Sequence, residues 1–109
     1  MTDREYAKMC VGNGWHSLVD EAFDLCEAHE IEITQIKEKF GGLRIYMQPL
    51  MDKELCDLID PKIAGIEMRS YTMCESCGQP AEPSSKGYWV KTICKSCKDI
   101  NDVLAKKGK

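Results

Sequence analysis

Cys74-Glu75-Ser76-Cys77-Gly78 and Cys94-Lys95-Ser96-Cys97 decide how the rest of the chain is read. Two cysteines separated by two residues can grip one metal ion from a tight turn, and a glycine commonly follows the second. A second such pair, after 16 intervening residues, completes a four-sulfur shell. The spacing predicts a structural zinc site formed by Cys74, Cys77, Cys94 and Cys97. Iron in a rubredoxin-like four-thiolate site is the chemical rival. Four protein ligands close the shell, whereas catalytic zinc keeps a position open for water. The expectation is therefore a metal that holds the fold and performs no reaction.

The residues around the pairs give the finger an outline. Pro80, Pro83, Ser84 and Ser85 read as a loop, and Gly87 to Ile93 as a strand returning to Cys94. Residues 99–107, with Ile100, Val103 and Leu104 apolar, read as a helix. A knuckle, a hairpin and a helix whose start carries the last two ligands make a treble clef. A zinc ribbon, with a strand in place of that helix, is the alternative.

Upstream, Leu18, Val19, Ala22, Phe23 and Cys26 recur at helical spacing, which predicts an amphipathic helix from about Trp15 to Glu30. Asn13 is its candidate N-cap, and Ser17 with Asp20 offers a second start. Asp20, Glu21, Asp24 and Glu27 occupy the other side. A β-hairpin is predicted next, from Ile33–Phe40 and Leu43–Gln48 joined at Gly41-Gly42. Ile36 and Phe40 should share its apolar face with Leu43, Ile45 and Met47. Its other face collects Lys37, Lys39, Arg44 and Tyr46, a basic patch suited to an anion or an acidic partner. A second helical region covers about Asp52 to Arg69, with Met51, Leu55, Ile59 and Ile63 four residues apart. Pro61 either kinks it or starts a new helix capped by Asp60.

The expected class is therefore α+β: a helix–hairpin–helix portion (1–70) packed with a four-cysteine finger (71–109) as one compact unit. Composition agrees with a small domain of 109 residues and net charge -3. Charge is uneven, however. Residues 1–68 carry seven Lys/Arg against fourteen Asp/Glu, and residues 69–109 carry eight against four. The acidic part argues against strong nonspecific duplex binding, while Trp89 and Lys91 beside Tyr88 add an aromatic and basic element to the finger.

Catalysis finds little footing. A zinc deaminase needs His-x-Glu before Pro-Cys-x-x-Cys, and neither His16 nor His29 has Glu two residues later. No histidine lies between Cys74 and Lys109, so the treble-clef nuclease pattern is missing as well. Of the other cysteines, Cys26 and Cys56 sit on apolar stripes and read as buried thiols, while Cys10 reads as exposed. The charged start MTDREYAKMC has no apolar segment of an export signal, and no run of about 18 apolar residues occurs. The expectation is a cytoplasmic protein without membrane contact.

Gly12-Asn13-Gly14-Trp15, the string Thr34 to Tyr46 (TQIKEKFGGLRIY), Cys74-Glu75-x-Cys77-Gly78-x-Pro80 and Gly87-Tyr88-Trp89-Val90-Lys91-Thr92-x-Cys94 resemble, in order and spacing, a family of small, largely uncharacterised zinc-binding proteins of phages, prophages and bacteria. The resemblance spans about residues 12–97. Some relatives end the metal motif in histidine where this chain has Cys97. Such phage proteins often bind and disable a host machine, including restriction or CRISPR complexes. The resemblance thus implies a non-enzymatic inhibitor or adaptor that binds a host protein or protein–nucleic-acid complex in the bacterial cytoplasm. Nucleic-acid binding through the finger and hairpin is the alternative, and capture of a small anionic ligand or nucleotide a further one.

Overall fold

The computed structural model describes residues 3–86 and 89–97, without the side chains of residues 84–86 and 89. Its elements are α1 (Arg4–Met9), a 3-10 turn (Asn13–Trp15), α2 (His16–Ala28), β1 (Ile33–Lys39), β2 (Gly42–Met47), α3 (Lys53–Ser70), β3 (Pro83–Lys86) and β4 (Trp89–Thr92). Two antiparallel hairpins, β1-β2 and β3-β4, accompany the helices. This is the α+β arrangement expected. The helix expected over residues 99–107, Gly87 and Tyr88 lie outside the described residues.

One core joins the elements upstream of the finger. Helix α2 turns Leu18, Val19, Ala22, Phe23 and Cys26 inward, where they meet Ile33 and Ile36 of β1, Leu43 and Ile45 of β2, and Ile59, Ile63 and Ile66 of α3. Burying one such aliphatic side chain is worth about 1.5–3 kcal/mol, so this cluster outweighs any single surface contact. Helix α3 also covers the outer edge of β2. The Leu43 N–H donates to Ser70 Oγ (2.8 Å) and the Ile45 N–H to Glu67 Oε2 (2.8 Å). Two edge donors that would otherwise need water are thereby satisfied.

Several local expectations are corrected. Helix α2 starts at His16, and Asn13 lies inside the 3-10 turn instead of capping it; Trp15 is the N-cap, and no side chain caps the helix there. Trp15 is instead fully buried, with its indole Nε1–H donating to the Met73 carbonyl at 2.9 Å. The chain leaves α2 through Glu30 at φ 55, with the Ile31 N–H bonded to the Cys26 carbonyl (2.8 Å) and the Glu30 N–H to that of Glu27 (3.2 Å). That is a Schellman ending with glutamate in the place usually taken by glycine. Of the two readings of Pro61, the new start capped by Asp60 is not seen: one helix runs through Pro61, and Asp52 caps it by accepting from the Glu54 and Leu55 N–H groups. Pro61 and Asp57 are both exposed, so water can serve the Asp57 carbonyl that the proline leaves unbonded. Met51 precedes the helix and stands 94% exposed, outside the buried stripe.

The hairpin turn is also displaced by one residue. Lys39 pairs with Gly42, so the loop is Phe40-Gly41, with φ 52 and 78. Positive φ at both positions is a type I′ turn. Gly42 falls in the strand, where a β-carbon would sit 2.3 Å from the Tyr71 ring and only glycine fits. Phe40 is consequently left in the left-handed region, at a cost of about 1–2 kcal/mol, and on the surface rather than on the apolar face with Ile36.

Candidate metal centre

The knuckle around Cys74 and Cys77 is closed by its own backbone. The Cys74 N–H donates to the Gln79 carbonyl (2.7 Å) and the Gly78 N–H to the Cys74 carbonyl (2.8 Å). Gly78 takes φ 81 in that turn, a conformation that glycine adopts without steric cost. Strand β4 returns beside it, and the Glu75 N–H donates to the Thr92 carbonyl (2.8 Å). Cys94 follows, and residues 95–97 are helical; the rest of the helix that would separate a treble clef from a ribbon lies outside the described residues.

These elements bring the sulfurs of Cys74, Cys77, Cys94 and Cys97 within 4.8 Å of one another. Cys77 and Cys94 Sγ are 3.5 Å apart, well beyond the roughly 2.05 Å of a disulfide. Tetrahedral zinc with bonds of about 2.3 Å separates its sulfurs by about 3.8 Å, so the donor set fits one ion. Burial works against ionisation of Cys74, but backbone N–H groups of Cys94, Cys77 and Ser76 converge on it and bring its pKa down to about 6. Cys97 is pushed up to about 12 by hydrogen bonds with the Cys77 and Cys94 thiols. Cys77 is raised too: the Gln79 N–H and the Cys97 thiol favour its thiolate, but desolvation and the Cys94 and Cys74 thiols outweigh them. Four thiols so close share protons, and an ion bound among them takes the protons' place.

The centre is docked on the rest of the molecule, which explains glycines that the sequence leaves unassigned. The Gly14 N–H donates to the Glu75 carbonyl (2.9 Å), and a β-carbon on Gly14 would lie 1.9 Å from the Cys74 carbonyl oxygen. A β-carbon on Gly12 would lie 2.0 Å from the Glu75 oxygen. On the other side, the buried Thr92 hydroxyl donates to the Gly41 carbonyl (2.6 Å). The knuckle is therefore held between the 3-10 turn and the tip of the β1-β2 hairpin. Between hairpin and finger, burial pushes the Glu38 carboxyl up, repulsion from Glu75 adds to this, and Lys91 opposes it.

The predicted binding residues divide into two groups. Lys37 faces Arg44 directly across the hairpin, Gln35 faces Tyr46, and the Lys37 ammonium lies 5.4 Å from the Tyr46 ring centroid. Lys39 reaches forward, 5.7 Å from the centroid of Phe40. Lys37, Lys39, Arg44 and Tyr46 thus share one outward face. Lys91 is not part of it, because it pairs with Glu75 at 3.3 Å. The Trp89 side chain lies outside the described residues. Phe40 is the functional candidate that the hydrophobic pattern misplaced; the Phe-Gly-Gly tripeptide, with two possible turn registers, was the available signal.

The remaining candidates are structural. His16 Nε2 is 2.8 Å from the Lys8 carbonyl oxygen and joins α1 to α2. Cys26 is buried against Met47, with burial and then Glu27 raising its thiol pKa. Cys56 is half-buried and donates to the Leu50 carbonyl (3.4 Å), and Cys10 is exposed. The acidic side of α2 is largely engaged within the molecule: Arg4 reaches Asp20, Asp24 and Glu27, Lys8 reaches Asp20, and Arg69 pairs with Glu21. Among the described residues no helix is long and apolar enough to cross a membrane. Compared with protein-family models, curated proteins and solved structures, the chain gives no match.

Proposed function

We propose that the chain is a non-enzymatic zinc protein that binds and modulates a macromolecular complex in a bacterial cell, in the manner of phage-encoded inhibitors. The observation that carries this reading is the cluster of four cysteine sulfurs within 4.8 Å, backed directly by the Gly14 turn. Cys74, Cys77, Cys94 and Cys97 would hold the ion; bound there, it supplies cross-linking and no open coordination position. Iron would use the same ligands, and metal analysis separates the two.

The binding surface in this reading is the outward face of the β1-β2 hairpin, which the finger supports from behind through Thr92 and Val90. The acidic side of α2 is the weaker candidate for mimicking nucleic-acid charge, since Asp20, Asp24, Glu27 and Glu21 already face cations of this chain. The test is capture from bacterial lysate with the zinc-loaded full chain, beside a Lys37→Glu/Arg44→Glu variant. A stoichiometric partner held by the parent and lost by the variant is expected. Identical captures from both, or nothing above background, would remove the hairpin as the working surface.

A further inference from the structure

The hairpin tip combines three features that the fold itself does not require. Phe40 occupies a left-handed position that favours glycine, asparagine or aspartate, and the residue is 64% exposed. Lys37 and Arg44 are directly opposed across the strands, where like charges destabilise a hairpin. No carboxylate among the described residues forms an ion pair with Lys37, Lys39 or Arg44, whereas Arg4, Lys8, Arg69 and Lys91 each hold one. The face therefore presents, from base to tip, the Tyr46 ring, the Lys37/Arg44 pair, Lys39 and the Phe40 ring, with a cation near each ring.

We propose that this face binds single-stranded nucleic acid, with Lys37, Lys39 and Arg44 meeting phosphates and Tyr46 and Phe40 stacking on unpaired bases. The inference rests on the reading of the chain as a binding protein and names the partner of that surface. Cations alone would suit any anion; the two exposed rings select a ligand with planar faces, and every base has one. A duplex hides those faces in its stack, and a two-stranded ribbon with three cations has little with which to open it. An acidic peptide would engage the cations and leave Phe40 unused.

The test uses the zinc-loaded full chain and a fluorescein-labelled oligothymidylate of about 15 nucleotides, followed by fluorescence anisotropy across a salt series, with a duplex of equal length beside it. Two variants remove the proposed contacts while relieving the local conflict. Arg44→Glu places a carboxylate opposite Lys37, and Phe40→Gly gives the turn a preferred residue. Both should unfold at the same or a higher temperature than the parent. The parent should bind oligothymidylate more tightly than duplex, with a slope of log affinity against log salt of about -2 for three contacts. Each variant should bind about tenfold more weakly or worse, and Arg44→Glu should flatten the slope. No binding by the parent at low salt, tighter binding to duplex, or unchanged binding by both variants would overturn the proposal. If the parent ignores oligothymidylate yet holds a lysate protein through Arg44 after nuclease treatment, the partner is a protein: the single-strand inference falls while the binding-protein reading stands.

Discussion

Gly14 has no room for a β-carbon, Gly65 has open space around it, and Glu30 has the wrong backbone for its side chain. These three positions give opposite expectations for small changes. Gly14→Ala pushes a methyl group into the Cys74 carbonyl and should destabilise the chain by about 1–3 kcal/mol, with faster loss of metal to a chelator. Gly65→Ala, in the middle of α3, meets nothing within 4 Å and should stabilise by up to about 1 kcal/mol. Glu30→Gly should add a similar amount, since Glu30 is exposed and glycine suits φ 55. Urea unfolding of the three variants checks all of these. Sequence alone could not sort the glycines, because the difference between Gly14 and Gly65 lies in which backbone passes nearby. The four cysteines are the opposite case: local spacing defines their chemistry, and they were legible at once.

Among the elements, α1 shows what hydrophobic pattern misses. It has six residues and buries only Ala7, so no apolar stripe announces it. It is held instead by Asp3, which accepts from the Tyr6 N–H (2.7 Å), and by Arg4 and Lys8 against the carboxylates of α2. The hydrogen bond from Lys8, with further help from Arg4, holds the Asp20 carboxyl below its usual value of 3.8. A lowered folded pKa adds stability above the unfolded pKa and loses it as pH falls through the folded value. The stability difference between parent and Asp20→Asn should therefore be full at about pH 6 and shrink as pH drops below about 4, as read from urea midpoints at each pH. The β1-β2 hairpin was legible as an element, yet its turn was read one residue late. Side-chain alternation within the strands cannot separate Phe40-Gly41 from Gly41-Gly42; the register is seen only in the pairing of Lys39 with Gly42, packed under the Tyr71 ring. Continuity of α3 through Pro61 likewise depends on exposure, which the local sequence does not state.

At the scale of the whole molecule, the metal centre and the helix–hairpin core form a coupled system. The Trp15 indole bonds to the Met73 carbonyl, the Gly14 N–H to Glu75 and the Thr92 hydroxyl to Gly41, so the knuckle cannot open without disturbing the core's edge. Chelation should therefore lower the thermal midpoint of the entire chain in one transition and shift Trp15 fluorescence, read in a Trp89→Phe background. Separate transitions for finger and core would show that the docking is weak. The α+β class and the clustering of the four cysteines could be read from spacing and periodicity; the coupling could not, because it is made by backbone carbonyls that carry no sequence signal. Native mass spectrometry of the full chain, parent beside Cys77→Ser, gives the decisive count. The parent should carry one zinc ion per chain, and Cys77→Ser should lose it together with thermal stability. A parent that stays metal-free in the presence of zinc, and is as stable with a chelator as without, would contradict the zinc-stapled fold on which the binding surface depends.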